Sequence, residues 1–184
     1  HFTLAFEGPD YRDPMIYTSQ IFSTAFGGGM SSRLFQEVRE KRGLCYTIFA
    51  NAGAYADTGL TTFYAGTSGD QVAELARITM DELKRAADDM SAAEVARART
   101  QMKAGLLMGL ESPSNRAERL ARMTAIWGRV PPIDEVLRSI DSVTTGDIRA
   151  FAAQMAEQQR MAMAIYGPTT GAPSLNELQE RLAA

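Results

Sequence analysis

Arg39 and Tyr46 stand on either side of Gly43 in the stretch FGGGMSSRLFQEVREKRGLCY, residues 26–46. A guanidinium offers a fork of N–H donors that keeps its charge in proteins, and a phenol offers one O–H donor more. Aimed into one cleft, such a pair can hold a carbonyl oxygen and stabilise negative charge developing on it, with neither group having to titrate. An arginine late on a helix and a tyrosine early on the next strand can converge in this way. The same two residue types equally suit a solvated arginine and a core tyrosine, so the spacing leaves both readings open. Just upstream, Gly27, Gly28 and Gly29 precede a helix start, where free N–H groups and the helix dipole could cradle an anion or line a cleft. They match neither G-x-x-x-x-G-K-[ST] nor a G-x-G-x-x-G that follows a strand. Their first reading is therefore conformational: one helix ends and another begins.

The scarce residues narrow the chemistry further. The chain of 184 residues has one cysteine, Cys45, and one histidine, His1. A catalytic zinc usually takes three protein ligands and a structural zinc four, mostly thiolate and imidazole, so this chain is expected to hold neither. Ser-His-Asp and Cys-His catalysis would have to use His1 as their base. Ser31 and Ser32 read as helix caps rather than nucleophiles. A net charge of -3 with no Lys/Arg block argues against a nucleic-acid partner. No apolar run approaches the ~20 residues of a membrane span, and no basic-then-apolar signal segment opens the chain. The first residue is not Met, which reads as a piece excised from a longer chain.

The elements that must position these residues follow from periodicity. Phe2, Leu4 and Phe6 alternate as a first strand. Ile16, Ile21, Phe22 and Phe26 suggest a helix from Asp13 or Pro14 to Phe26, stopped by the glycines. Ser31 or Ser32 then caps a second helix, with Leu34, Phe35 and Val38 inward and an end near Gly43. On it Arg33, Glu37 and Lys41 fall at i, i+4, i+8, the pattern of a solvated, salt-bridged face. At ~100° per residue, Arg39 lies off that ladder, on the border of the apolar arc beside Phe35. Residues Leu44 to Ala52 alternate next, with Leu44, Tyr46, Ile48 and Ala50 sharing one face, and after ADTG the run Leu60 to Ala65 returns as a hairpin partner.

A long helical run follows. Val72, Leu75, Ala76, Thr79 and Leu83 have helical spacing, with Ser68 or Asp70 near the start. Ser91 with Glu94 forms a capping box ahead of Val95, Met102, Leu106 and Leu110. Ser112-Pro113 restarts a helix to about Trp127. A short helix carries Val136, Leu137 and Ile140, and Thr144 with Asp147 caps another bearing Ile148, Phe151 and Met155. Met161, Met163 and Ile165 form a last strand, and Ser174 with Glu177 caps a tail helix. This order predicts one α+β module over 1–184, an antiparallel-rich sheet packed against helices.

Taken in order, HFTLAFEGP, FGGGMSSRLFQEVREKRGLCY, DTGL, ESPSNRAERLA and YGP resemble the pitrilysin-type, or inverzincin, zinc peptidases, the family of mitochondrial processing peptidase and insulin-degrading enzyme. The resemblance covers roughly residues 1 to 168. It implies the second module of a clamshell half, with zinc held by an H-x-x-E-H element that this chain lacks. Zinc would then be bound by a catalytic N-terminal module or a partner subunit, and by no residue here. The R-E-K-x-G-L-x-Y element implies that Arg39 and Tyr46 reach across the clamshell to a peptide or unfolded-protein substrate at the metal. The long glycine-rich loop of the processing peptidase's non-catalytic subunit is replaced by FGGGMS, which points to a bacterial relative, cytoplasmic or periplasmic, in which a dimer is one arrangement of the halves. Two other readings stand beside this one: a non-catalytic assembly module, as in respiratory-complex core subunits, and an anion-binding domain built on Gly27 to Gly29.

Overall fold

The structure, a computed structural model, describes residues 1–158 and 160–184. Four strands, β1 (Phe2–Gly8), β2 (Thr47–Ala54), β3 (Gly59–Gly66) and β4 (Met161–Ile165), form one sheet in the order β2-β3-β1-β4. Every neighbouring pair is antiparallel. The first strand is thus an inner one: Leu4 lies between Phe63 of β3 and Met163 of β4. The period-2 alternation in β1 places Phe2, Leu4 and Phe6 in the core, and the opposite face carries the more exposed Thr3, Ala5 and Glu7.

The helices cover that apolar face, giving the α+β architecture that the element order predicts. They are α1 (Ile16–Gly27), α2 (Val72–Asp89), α3 (Ala92–Gly109), α4 (Pro113–Trp127), α5 (Ile133–Ser142), α6 (Thr145–Gln158) and α7 (Leu175–Ala183), with a π-helix at Phe35–Glu40. Aromatic contacts join the layers. The Phe6 ring meets Phe63 at 5.4 Å, Phe63 meets Phe26 of α1 at 4.8 Å, and Phe22 of α1 meets Phe151 of α6 at 5.4 Å. Gly27 ends α1 where the helix touches the sheet: a Cβ there would lie 2.3 Å from the Ala50 nitrogen of β2. Only glycine allows this approach.

Capping signals located four of the helix starts, whereas α1, α2 and α5 begin without a side-chain cap. Ser91 with Glu94 and Ser174 with Glu177 each close a reciprocal capping box, and Thr144 exchanges equivalent hydrogen bonds with Asp147. Ser112 accepts from the Asn115 amide ahead of Pro113. Three expectations fail at the glycine-rich stretch. Neither serine caps the second helix: Ser31 is exposed, and the Ser32 hydroxyl donates back to the Gly29 carbonyl at 2.6 Å. The helix opens into π geometry, with the Lys41 amide reaching the Gln36 carbonyl, five residues back, at 3.0 Å. Regular alternation does not yet hold at 44–46, because β2 begins only at Thr47. The Leu44 amide is still bound to the Val38 carbonyl at 3.1 Å, so Leu44 and Cys45 are both buried and Tyr46 turns outward.

Candidate functional site

The π-helix brings the predicted pair together. The Arg39 guanidinium carbon lies 4.5 Å from the centre of the Phe35 ring and 5.8 Å from that of Tyr46. Phe35, one turn earlier, therefore forms the border that the apolar arc predicts, and Tyr46 reaches the same guanidinium after the chain turns at Gly43, where φ is +64°. Stacking on rings uses the guanidinium's faces and leaves its in-plane N–H edges available. Among the described residues no carboxylate pairs with Arg39. Glu37, an acid earlier on the same helix, is already engaged: it accepts from Lys41 at 2.5 Å and from Arg42 at 3.0 Å. The Lys41 hydrogen bond foremost, with Arg42 assisting against the cost of burial, holds the Glu37 carboxyl below its ordinary range.

Tyr46 is 85% exposed, against the core position that alternation predicts. Its amide donates to the Gly66 carbonyl at 3.0 Å, which fixes the backbone against the end of β3 while the ring projects into solvent. The phenol makes no hydrogen bond within the described residues. Cys45 behind it is buried; desolvation pushes its thiol up, partly opposed by the Arg39 charge. Tyr46, Cys45 and Gly43 line an open cleft of ≈ 900 Å³. Tyr46 thus stands in the lining of the cleft, and the permanently charged Arg39 lies outside that lining, 5.8 Å from the centre of the Tyr46 ring.

The other candidates settle elsewhere. Gly27 is buried against β2, and Gly28 and Gly29 lie in the exposed turn that follows. The Gly28 carbonyl accepts from the Gln101 side chain at 3.0 Å, tying this turn to α3. Arg33 departs from its expected place on a solvated ladder. Its side chain is only 10% exposed and reaches Glu94 at 2.7 Å and Asp89, joining the helix start to the α2–α3 corner. Sequence spacing could not reveal this, because both partners are more than fifty residues away. Burial alone would raise the Glu94 carboxyl, but hydrogen bonds from Arg33 and Ser91 hold it at about 2.

That ion pair gives a first test. Arg33→Ala strands a half-buried carboxylate, so unfolding stability should drop by about 1.5–3 kcal/mol, the range for hydrogen bonds to charged groups. Because the Glu94 pKa is depressed on folding, its stabilisation is full above the unfolded value and fades as pH falls towards the folded one. The gap between wild type and variant should therefore narrow between about pH 5 and about pH 3 in denaturant titrations. An equal gap at both would mean that the pair does not form in solution.

No three His, Cys, Asp or Glu side chains among the described residues converge as metal ligands. The ligand set here does not fit a zinc site.

A four-stranded antiparallel sheet backed by helices makes this an α+β module, with an arginine and a tyrosine at the π-helix exit. Residues 1–102 match the family described as the peptidase M16 inactive domain, and the chain belongs to that family. It is similar to an uncharacterized zinc protease of Streptomyces coelicolor, 37% identical over 169 residues, covering 91% of this chain and 37% of the relative. YmxG of Bacillus subtilis, also called an uncharacterized zinc protease, is 31% identical over 177 residues, covering 95% of this chain and 42% of the relative. The chain thus spans about two-fifths of the length of these relatives. Among solved structures, a chain of complex III2 from Candida albicans covers 98% of this chain and 46% of its own length, at TM-score 0.89 and 18% identity. A protease from Helicobacter pylori covers 88% and 39%, at TM-score 0.76 and 20% identity. These two likenesses establish the shared fold.

Proposed function

We propose that this chain is the non-metal module of a zinc metalloendopeptidase, in which Arg39 and Tyr46 bind the scissile peptide beside a zinc held by another module or a partner subunit. One observation carries the reading. The Arg39 guanidinium lies over the Phe35 ring and 5.8 Å from the Tyr46 ring with no carboxylate partner among the described residues, and the Tyr46 phenol is exposed and makes no hydrogen bond among them. A guanidinium held on an aromatic ring, with its N–H edges open to water, is oriented for an acceptor that arrives from outside. A peptide carbonyl gaining negative charge is such an acceptor, and the two donors would bind its oxygen. The attack on that carbonyl belongs to the other module. The relatives named zinc proteases support the reaction class.

Metal analysis tests this division of labour. Purified, tag-free chain should carry zinc well below one equivalent and hydrolyse no peptide, whereas the full-length protein should show peptidase activity abolished by a chelator. Tight zinc at one equivalent in the chain alone would overturn the proposal.

A second reading, an assembly module without substrate contact, is favoured by α4. That helix buries none of its residues and leaves Leu120 and Trp127 exposed at 52% and 41%, a face suited to docking on further protein. The likeness to a complex III2 chain agrees with it. Under this reading, substitutions at Arg39 and Tyr46 would leave function unaltered.

A further inference from the structure

The cleft beside Tyr46 has a second half that the Arg39–Tyr46 pair does not use. The sheet face turned away from the helices carries aromatic rings where β1 and β3 place their core residues on the other side. Tyr64 lies between the buried Phe63 and Ala65 in β3 and so points outward. Phe49, opposite it in register, stacks on it at 4.9 Å. The His1 ring lies 5.9 Å from Tyr64 and 6.2 Å from Tyr166, with its Nδ1 2.7 Å from the Tyr64 hydroxyl. Tyr166, just past β4, is 80% exposed. Tyr46, Tyr64, Tyr166, His1 and Pro168 all line the one cleft, and no Asp, Glu, Lys or Arg does.

The core needs none of these rings, since the helices pack on the opposite face. Exposed aromatic side chains gathered in one place mark a surface that binds something. We infer that this cleft is a specificity subsite for an apolar, preferably aromatic, side chain of the bound peptide, close to the residue whose carbonyl meets Arg39 and Tyr46. The inference rests on the reading proposed above, because Tyr46 belongs to both features and makes them continuous. A volume of ≈ 900 Å³ accepts a ring together with flanking backbone. Ring faces and tyrosine edges favour offset or edge-on packing of another ring. A substrate carboxylate would face the negative ring faces and find no Lys or Arg in the lining. A substrate cation would find no carboxylate in the lining.

The test uses the full-length protein with its zinc-bearing module and peptides that differ at one position near the scissile bond, carrying Phe, Leu, Ala, Asp or Lys. Wild type should prefer Phe over Ala by about 10-fold to 100-fold in kcat/KM, the range an apolar pocket can supply. Tyr166→Ala and Tyr64→Leu should bring that ratio close to one, Tyr166→Phe should preserve it, and the exposed Arg77→Ala on α2 should not alter it. An unchanged ratio in Tyr166→Ala overturns the subsite. Arg39→Ala separates the two proposals: it should slow every peptide with the ratio kept. If it is silent while Tyr166→Ala removes the preference, the carbonyl-binding role fails and the subsite stands. A second readout needs no turnover. In zinc-stripped full-length protein, a peptide bearing benzoylphenylalanine at the same position should photolabel Tyr64, Tyr166 or Pro168. Labels on α4, or crosslinks between two copies of the chain across this face in place of peptide labelling, overturn the inference.

Discussion

In the full-length, zinc-loaded protein, Arg39→Ala and Tyr46→Phe should each lower peptide turnover by ~10²-fold, the loss seen when one donor to a developing oxyanion is removed. Folding should barely change. The Arg39 guanidinium contributes only a ring stack, worth about 0.5–1 kcal/mol at an exposed site. Tyr46 is held by its backbone amide rather than by its side chain, which is 85% exposed. Removing one hydroxyl from so exposed a ring leaves no buried group without a partner. The effect should fall on kcat more than on KM, because the donors bind most strongly when charge develops. Arg77→Ala is the control, since it removes an exposed cation on α2. Arg33→Ala cannot serve, because Arg33 belongs to a half-buried ion pair whose loss would act through stability. Near-wild-type kcat/KM for both test variants would leave this stretch a π-turn and a strand start, and would favour the assembly reading.

The arginine–tyrosine pair was legible in the sequence because helical geometry alone places Arg39 beside Phe35, four residues earlier. How Tyr46 joins them was not. Alternation assigns Tyr46 to the face of Leu44 and Ile48, yet the Leu44 amide remains bound to the Val38 carbonyl and delays the strand to Thr47. A π-turn leaves no composition signal, since it differs from an α-turn by one residue in hydrogen-bond register. The capping boxes at Ser91 and Ser174 were readable for the opposite reason: both partners lie within one turn. Long-range pairing sets the remaining limit. Nothing local connects Arg33 to Glu94, or Tyr64 to Tyr166: helix packing joins the first pair, and the strand order β3-β1-β4 brings the second pair to the two sides of His1. Core positions on α2 and α6 were legible because helical spacing and burial agree, as at Leu75, Leu83, Ile148 and Phe151.

Removing residues 1 to 8 should abolish cooperative unfolding of the chain altogether. An edge strand could fray at modest cost, but β1 lies inside the sheet, paired from Phe2 to Gly8 with β3 and from Phe2 to Phe6 with β4. Its loss separates β4 from the rest and leaves two ladders of backbone N–H and C=O groups unpaired. It also removes Phe2, Leu4 and Phe6, each no more than 1% exposed. At about 1.5–3 kcal/mol per fully buried large apolar side chain, those three alone approach the roughly 5–15 kcal/mol by which whole domains are stable. The cavity against Phe63 and Phe26 adds to that. Circular dichroism of the truncated chain should show no cooperative thermal transition, and its amides should exchange as in an unfolded chain. A truncated chain melting near wild type would mean that β3 and β4 can pair without β1. The same reasoning makes Leu4→Asp the point-mutation counterpart. It places a carboxylate between Phe63 and Met163 with no cation near it, and should unfold the chain at neutral pH while leaving it partly rescued in acid, where the carboxyl is neutral.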